Sequence, residues 1–277
     1  MNRSSFETAA GPVDWLVPQW PAPAHVRAVC TTRQGGVSAP PYNTLNLGTH
    51  VGDDAACVAA NRAQLVSSTG VPIVFMDQVH GNTILELSAD TPQGLQADGC
   101  FTTQPQLACC VMVADCLPIL LCDSRGERVA AVHAGWRGLL GEERSGAWHG
   151  VLEAVSRHFL PNSRMDTAQN APEIIAWLGP CIGPQAFEVG AEVRAAFVAA
   201  DARAAQCFRP YAPAPGADKW LADLQALARQ RLHRLGITAI YGNDGTDAWC
   251  TVQQSARFFS HRRDRVSGRQ AACIWLD

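Results

Sequence analysis

Lysine is almost absent from this chain. Lys219 is the only lysine among 22 basic residues, so the other 21 are arginines. Catalysis through a lysine Schiff base, including pyridoxal chemistry, is therefore excluded unless Lys219 itself carries it. The glycine-rich loop that ends in lysine and binds nucleotide phosphates is missing as well. Two large classes of enzyme are thereby set aside.

Long apolar runs and a strong net charge are also lacking. The longest apolar run, residues 107–114, is too short to span a bilayer, and the N-terminus has no apolar stretch of signal-peptide length. A formal net charge of -3 argues against a nucleic-acid surface or a polybasic membrane patch. We therefore expect a cytoplasmic protein that binds neither nucleic acid nor membrane, and its oligomeric state stays open.

The cysteines lack any C-x-x-C pair, and their number, eleven, is odd. This pattern fits reduced thiols in a cytosol better than a disulfide framework. Most of them lie among apolar residues, where a cysteine behaves as a small buried hydrophobe. Cys116 is the exception, since it follows an aspartate and precedes a Leu-Pro break.

Three apolar segments each end in, or close to, a side chain that can bind a soft metal or act as a nucleophile. These side chains are His80, Cys116 and His133. Short apolar runs predict buried strands, and a side chain at the end of a strand is well placed to point into a cleft. After the third run, Gly135 and Gly138 predict the turn that ends the strand.

Two imidazoles and one thiolate form a three-ligand set of the kind that holds catalytic zinc, with the fourth position left for water or substrate. Copper is the rival metal, because two histidines and one cysteine also describe a blue-copper site. A four-copper oxidase would need many His-x-His pairs, and none of the eight histidines is spaced in that way.

A metal-free alternative uses Cys116 as a nucleophile, with His133 or His80 as its base. A purely structural alternative has both histidines hydrogen-bonded within loops and the cysteine merely buried. The residues alone leave the metal, nucleophile and structural alternatives open.

Strands and helices are mixed without strict alternation, which indicates an α+β fold of layered mixed β-sheets flanked by helices. We expect one domain over residues 1–277. The tripeptide Ala-Asp-Gly at residues 97–99 predicts a turn between two strands. Helices are predicted over residues 54–68, 147–159, 188–200 and 218–235.

Five short segments carry a family resemblance. They are DQVHG from Asp77, ADCLP from Ala114, HAGWRG from His133, LGPCIG from Leu178 and RFFSHRRD from Arg257. Together, and in this order, they resemble the bacterial purine nucleoside phosphorylase family. That family was formerly described as a multicopper polyphenol oxidase or laccase family, and one branch is called a peptidoglycan editing factor. The resemblance runs from about residue 17 to the C-terminus.

The resemblance implies that His80, Cys116 and His133 bind one Zn²⁺ ion, with Cu²⁺ as an alternative occupant, and act as the catalytic residues. It implies a mixed-sheet sandwich like that of certain cysteine-hydrolase toxins. The implied activity is phosphorolysis of adenosine, inosine, guanosine and methylthioadenosine, with adenosine deamination as a second activity. Hydroxide supplied by zinc and directed at C6 of the purine would account for deamination.

Phosphorolysis also needs cations or amides that hold phosphate. Arg33, Arg62 and Arg137 are the predicted phosphate contacts, and Asn46 is a predicted polar contact of the substrate. The expected partners are therefore purine nucleosides and phosphate. His261 stands where the family resemblance leads us to expect tyrosine, so a contact from that position differs in this chain.

Three other roles are kept as alternatives. The first is a hydrolase that removes a wrongly incorporated amino acid from UDP-muramyl cell-wall precursors, by means of Cys116 or zinc. The second is a copper-dependent polyphenol oxidase. The third is a metal-binding partner protein without enzymatic activity.

Overall fold

A six-stranded and a four-stranded sheet form the centre of this chain, whose computed structural model describes residues 7–8, 11–159, 172–212, 214 and 218–277. The strands are β1 (Glu7–Thr8), β2 (Gly11–Pro12), β3 (Val26–Cys30), β4 (Ile73–Val74), β5 (Ile84–Glu86), β6 (Gly99–Thr102), β7 (Ala108–Val113), β8 (Leu117–Asp123), β9 (Val129–Ala134), β10 (Glu142–Arg144), β11 (Ala147–His149), β12 (Ile174–Leu178), β13 (Glu188–Gly190), β14 (Phe208–Tyr211), β15 (Lys219–Ala222), β16 (Ala239–Gly242) and β17 (Gln270–Leu276). The α-helices are α1 (Ala55–Thr69), α2 (Trp136–Leu140), α3 (Val151–Ser156), α4 (Ala191–Ala200), α5 (Leu224–Arg234) and α6 (His261–Asp264).

Both large sheets are mixed. The six-stranded sheet has the order β16-β12-β8-β9-β6-β5, and the four-stranded sheet has the order β3-β17-β7-β4. Pairs β12–β16, β5–β6 and β4–β7 are parallel, whereas the other pairs of these two sheets are antiparallel. A separate three-stranded sheet has the order β13-β15-β14. The expected α+β fold with mixed sheets is confirmed.

Alternate side chains of the central strands fill different layers, because successive residues of a strand point to opposite faces. In β9, Val129 and Ala131 belong to the core between the two large sheets, whereas Ala130 and Val132 pack with residues of α3, α4 and α5. On the far side of the four-stranded sheet, Leu65 of α1 packs in a third core. The layers therefore run from α1 through the two sheets to the helices α3, α4 and α5.

Helix α1 begins and ends where its sequence signals place it. The Asp54 side chain accepts hydrogen bonds from the backbone N–H groups of Ala56 and Cys57, which have no partner within the helix. Gly70 adopts the left-handed conformation after the last turn, as a glycine does at little cost. The predicted helix over residues 54–68 is confirmed within one residue.

Three of the predicted helices begin later than expected, because strand pairing overrides the local periodicity at their starts. The helix predicted over residues 188–200 begins at Ala191, since Glu188–Gly190 pairs with β15 as strand β13. Ala147–His149 pairs with Glu142–Arg144 in an exposed hairpin, so α3 starts only at Val151. Lys219–Ala222 pairs with β13 on one side and β14 on the other. The Asp223 side chain then accepts a hydrogen bond from the N–H of Ala226 and caps α5.

Two predicted turns are wrong in instructive ways. Gly135 and Gly138 do not form a simple turn, because Gly135 directly precedes helix α2 and Gly138 lies within it. The tripeptide at residues 97–99 leads straight into β6, and Asp98 is fully buried.

Within the described ranges, no helix combines the length and apolar character needed to cross a membrane.

Candidate metal centre and substrate cavity

The end of strand β9 delivers His133 to a buried carboxylate. Its ring Nδ1 lies 2.8 Å from Oδ1 of Asp98, and the exposed fractions are 3% for the histidine and 0% for the aspartate. An ionised carboxylate only accepts hydrogen bonds, so Nδ1 carries a proton, and Nε2 is the nitrogen that the neutral ring offers to a metal ion. Burial alone would raise the pKa of Asp98, but hydrogen bonds from His133, Gly81 and His80 bring it below its usual value.

The same carboxylate holds the loop that carries His80. Asp98 accepts hydrogen bonds from the backbone N–H groups of His80 at 2.8 Å, Gly81 at 2.6 Å and Val79 at 3.3 Å. His80 itself has φ = 63°, a left-handed conformation that a residue with a side chain rarely adopts. One buried aspartate therefore positions both histidines of the predicted set.

Cys116 lies between β7 and β8, behind another anchored aspartate. Asp115 has φ = 92°, and its two carboxylate oxygens accept hydrogen bonds from the Thr251 hydroxyl and the backbone N–H of Arg262, both at 2.6 Å. The Cys116 Sγ lies 3.6 Å from Nε2 of His80. A C-terminal segment thus fixes the turn that presents the thiol.

The thiol and the imidazoles shift one another's protonation. Burial alone would raise the pKa of Cys116, but His133 and His80 stabilise the thiolate and lower this pKa to about 6. Burial alone would lower the pKa of His133, but the Cys116 thiolate and Asp98 raise it to about 9. The thiolate form that binds metals is therefore accessible at neutral pH.

The three side chains fit a metal ion. The ligand atoms of His80, Cys116 and His133 all lie within 4.8 Å of one another, and this is the one group of its kind in the described ranges. Sulfur and nitrogen ligands of a tetrahedral zinc ion are separated by about 3.5 Å, close to the Cys116–His80 distance. A hydrogen-bonded carboxylate behind a ligating histidine is the usual support of such a site.

Two glycines allow these segments to approach. A Cβ atom on Gly135 would lie 2.9 Å from Cδ2 of His80 and 3.0 Å from Sγ of Cys116. On Gly138 it would lie 2.6 Å from the backbone oxygen of Gly81. The glycines after β9 are therefore required by close packing against the predicted metal ligands and the His80 loop.

A cavity of about 330 Å³ opens beside the three predicted ligands, within the usual size range of small-molecule sites. Part of its wall is apolar, and part is strongly basic. The remaining lining residues are His50, Gln78, Met112, Val113, Ala114, Asp115, Trp136, Arg137, Ile182, Phe187, Leu224, His261, Arg262, Arg265 and Arg269.

The four predicted substrate contacts lie in different places. Arg137 lines the cavity, with its guanidinium 4.4 Å from the ring centre of Trp136. Asn46 is fully buried, and its Oδ1 accepts a hydrogen bond from the N–H of Arg269. Asn46, Arg33 and Arg62 are not among the residues that line the cavity.

Arg62 donates from Nε to the backbone oxygen of Leu47, and its guanidinium stacks 4.1 Å from the ring centre of Phe75. Arg33 lines a separate cavity, where it bonds to Asn43 and to the backbone oxygen of Ser255. The positions of Arg33 and Arg62 therefore give no support to a role in substrate binding.

Several residues of the site were not predicted from the sequence. Asp98 and Asp115 were not singled out as functional, because an aspartate beside glycine or at a strand end resembles an ordinary turn residue. Arg265 and Arg269 were missed because they follow the last recognised motif. A usable signal for Asp98 is that a histidine ligand normally has a carboxylate or carbonyl partner.

Known proteins resemble this chain over nearly its whole length. The sequence pattern of the family described as "Multi-copper polyphenol oxidoreductase laccase" matches residues 27–277. A protein of Escherichia coli (strain K12) named "Purine nucleoside phosphorylase YfiH" is 46% identical, and the alignment covers 94% of this chain and 98% of that protein. A protein of Pseudomonas aeruginosa that is also named a purine nucleoside phosphorylase is 48% identical, with 95% and 98% covered.

Solved structures agree with these matches. The crystal structure of Neisseria meningitidis protein NMB0706 has a TM-score of 0.82 and 42% identity, and the match covers 95% of this chain and 99% of that one. A Bacillus licheniformis protein called YfiH has a TM-score of 0.76 and 28% identity, with 91% and 93% covered. The chain belongs to the family described as multi-copper polyphenol oxidoreductase laccase, whose members include proteins named purine nucleoside phosphorylase.

Proposed function

We propose that this protein is a zinc-dependent purine nucleoside phosphorylase that accepts adenosine, inosine, guanosine and methylthioadenosine and also deaminates adenosine. One observation carries the proposal. The His80–Cys116–His133 group and a basic wall share a single cavity of about 330 Å³. Relatives more than 40% identical over nearly their whole length are named purine nucleoside phosphorylases, which supports the same assignment.

In phosphorolysis, an oxygen of phosphate forms a bond to C1′ of the nucleoside while the bond from C1′ to N9 breaks. The leaving purine takes up a proton. Arginines such as Arg137 would bind the phosphate charge, and the apolar part of the wall, including Ile182 and Phe187, would hold the base away from water.

His80, Cys116 and His133 would hold zinc, and Asp98 keeps His133 in the tautomer whose Nε2 is free to bind it. Zinc supplies Lewis acidity and makes hydroxide available at neutral pH. In deamination, water adds to C6 of adenosine and ammonia leaves.

The test measures phosphate-dependent release of free base from adenosine and inosine. Chelator-treated protein is assayed before and after addition of one equivalent of zinc, together with His133→Ala. His233→Ala, an exposed histidine on α5, is the matched control. We expect release that needs phosphate, zinc and His133, and that the control retains.

Base release that proceeds without zinc, or in His133→Ala, contradicts the proposal. The absence of release from zinc-loaded protein in the presence of phosphate contradicts it as well. Ammonia released from adenosine in the same samples reports the deaminase activity separately.

A second function is favoured by the contacts of Cys116. Its sulfur lies 3.6 Å from His80, and the other histidine is oriented by Asp98, as in a cysteine nucleophile with a supported base. The thiolate would attack an amide carbonyl, the amine would leave with a proton, and water would hydrolyse the thioester. A UDP-muramyl amino acid is the substrate to test.

Amino acid released from this substrate by zinc-free protein, and lost in Cys116→Ser, would establish the hydrolase. No release would exclude it. Phenol oxidation, which the family description suggests, would need copper; the described ranges contain one three-ligand group and not several. We expect zinc-loaded protein to consume no oxygen with phenols.

A further inference from the structure

The basic part of the cavity wall has few negative partners. Four arginines and one aspartate line the cavity, although the whole chain has a net charge of -3. The aspartate, Asp115, is already bonded through both oxygens to Thr251 and to the backbone of Arg262. None of the four arginines forms an ion pair with a carboxylate in the part of the chain that the structure describes.

Two of the four arginines already have a contact or a proposed role. Arg262 donates from Nη1 to the backbone oxygen of Glu188 at 3.0 Å, and its guanidinium lies near the ring of Phe187. Arg137 stacks on Trp136, a contact that leaves its N–H donors free for the phosphate role proposed above. Arg265 and Arg269 are the two arginines of the cavity to which the proposed function assigns no role.

Hydrogen bonds hold both the backbone and the side chain of Arg269. Its N–H donates to Oδ1 of the fully buried Asn46 at 2.9 Å, and its side chain packs against Gly48. Nη1 donates to the backbone oxygens of Ser267 and Gly268. Nε and Nη2 donate to no residue among those described, so a half-buried cation keeps two unused donors in a fixed position.

The surroundings of Arg269 place it beside the predicted metal ligands. Burial lowers its pKa, and the negative charges of Cys116 and Asp115 act in the opposite direction. Arg265 follows α6 with φ = 63° and lines the same cavity with an exposed side chain. A half-buried guanidinium without a counter-ion is costly unless an anion binds to it.

We propose that Arg269 and Arg265 form a phosphate-binding subsite of this cavity. A guanidinium presents parallel donors that match the oxygens of a phosphate group, and the strongest such bonds are charge-assisted. The ligand is either free phosphate or a phosphate group of a larger substrate. The identification of free phosphate rests on the proposed phosphorylase function, whereas the subsite itself does not.

The test is calorimetric titration of inorganic phosphate, without nucleoside, into chelator-treated and zinc-loaded protein. The variants are Arg269→Gln, Arg269→Lys and Arg265→Gln, with Arg27→Gln as a control that removes one exposed charge, which is paired with Asp277. We expect Arg269→Gln to weaken phosphate binding about 10- to 100-fold, since one charged hydrogen-bonding group is lost. Arg269→Lys keeps the positive charge but loses the parallel N–H donors of the guanidinium. Its phosphate affinity should therefore lie between those of wild type and Arg269→Gln.

A parallel titration with UDP distinguishes the two sources of phosphate. Binding of inorganic phosphate that the Arg269 and Arg265 variants lose supports the subsite with free phosphate as its ligand. Binding of UDP alone, lost in the same variants, supports the subsite with a phosphate ester as its ligand. Unchanged binding in both glutamine variants, or no binding of either compound at millimolar concentrations, overturns the proposal.

Steady-state kinetics separate this result from the proposed function. Arg269→Gln should raise KM for phosphate while KM for inosine changes less than about twofold. Intact phosphate binding without any base release would contradict the phosphorylase and leave the subsite standing. If Arg269→Gln fails to fold, as shown by its melting curve, Arg265→Gln and Arg269→Lys still decide the question.

Discussion

Two of the cavities lined by arginines differ in whether those arginines have free hydrogen-bond donors. The second cavity, about 650 Å³, is the larger and is lined by Arg33 and Arg263. There, Arg33 uses Nε, Nη1 and Nη2 on Asn43 and Ser255, while Arg263 bonds to backbone oxygens and to Asp264. In the smaller cavity, Arg269 keeps two unused donors beside the predicted metal ligands. The two cavities are therefore distinguished by the partners of each guanidinium and not by volume or arginine content.

The largest effect is expected when a predicted metal ligand of the smaller cavity is removed. Cys116→Ala should lose bound zinc and lower kcat/KM by about 10³-fold or more, because metal ions supply several kcal/mol of transition-state stabilisation. Elemental analysis of the purified variant, together with the base-release assay, measures both losses. Full zinc occupancy in this variant would show that the thiolate is not a ligand.

The next largest effect concerns the carboxylate behind the ligands. Asp98→Asn places an NH₂ group where Asp98 now accepts hydrogen bonds from His133, His80 and Gly81. Metal affinity should fall about 10- to 100-fold, as for other supporting residues of this type. Competition with a chromogenic chelator measures it, and Asp90→Asn, an exposed aspartate, is the control. Equal zinc affinity in both variants would refute the positioning role.

A smaller effect distinguishes the thiol of the functional cavity from one outside it. Because the pKa of Cys116 is lowered to about 6, its thiolate persists at neutral pH, and its reactivity falls only as the pH drops through that value. In zinc-free protein, alkylation of Cys116 should rise about tenfold from pH 5 to pH 7. Cys57, whose pKa is raised by burial and by Asp54 and Asp53, provides the comparison within the same sample.

Mass spectrometry of alkylated peptides follows the two cysteines separately. Zinc should protect Cys116 and leave Cys57 unaffected. Faster alkylation of Cys57 at pH 7 would contradict the electrostatic account of the site.

The smallest effect on activity is expected in the second cavity. Arg33→Gln removes hydrogen bonds to Asn43 and Ser255 and should lower the free energy of unfolding by about 1–3 kcal/mol. KM for phosphate and for inosine should stay within about twofold of wild type. Chemical denaturation and steady-state kinetics test this pair of statements. A large rise in KM for phosphate would restore Arg33 as a substrate contact.

Local signals in the sequence were sufficient for the parts of the fold that depend on neighbouring residues. The Asp54 cap and Gly70 bound helix α1, and the buried strand before His133 is β9. The beginning of α5 was predicted wrongly, because Lys219–Ala222 is held as a strand between β13 and β14, two partners outside the predicted helix. The apolar periodicity of residues 218–235 gives no information about those partners.

The same limit applies to the site. The three predicted metal ligands were recognisable by residue type and by their place after apolar runs, and the structure brings them together. Asp98 and Arg269 acquire their roles only through contacts with other segments. Asp98 joins the His80 loop to β9, and Arg269 depends on Asn46, a residue more than two hundred positions away. Residue type and local spacing cannot specify such contacts.

The hydrogen bonds of Asp98 also bear on how the proposed site would take up a metal. They join groups of the polypeptide alone, and they position the His80 loop and His133. In the proposed site, folding would therefore place the ligands before an ion binds, unlike in small zinc domains that are unfolded without metal. Such a preformed site would accept whichever thiophilic ion reaches it first, so the identity of the bound metal would depend on the supply of metal in the cell.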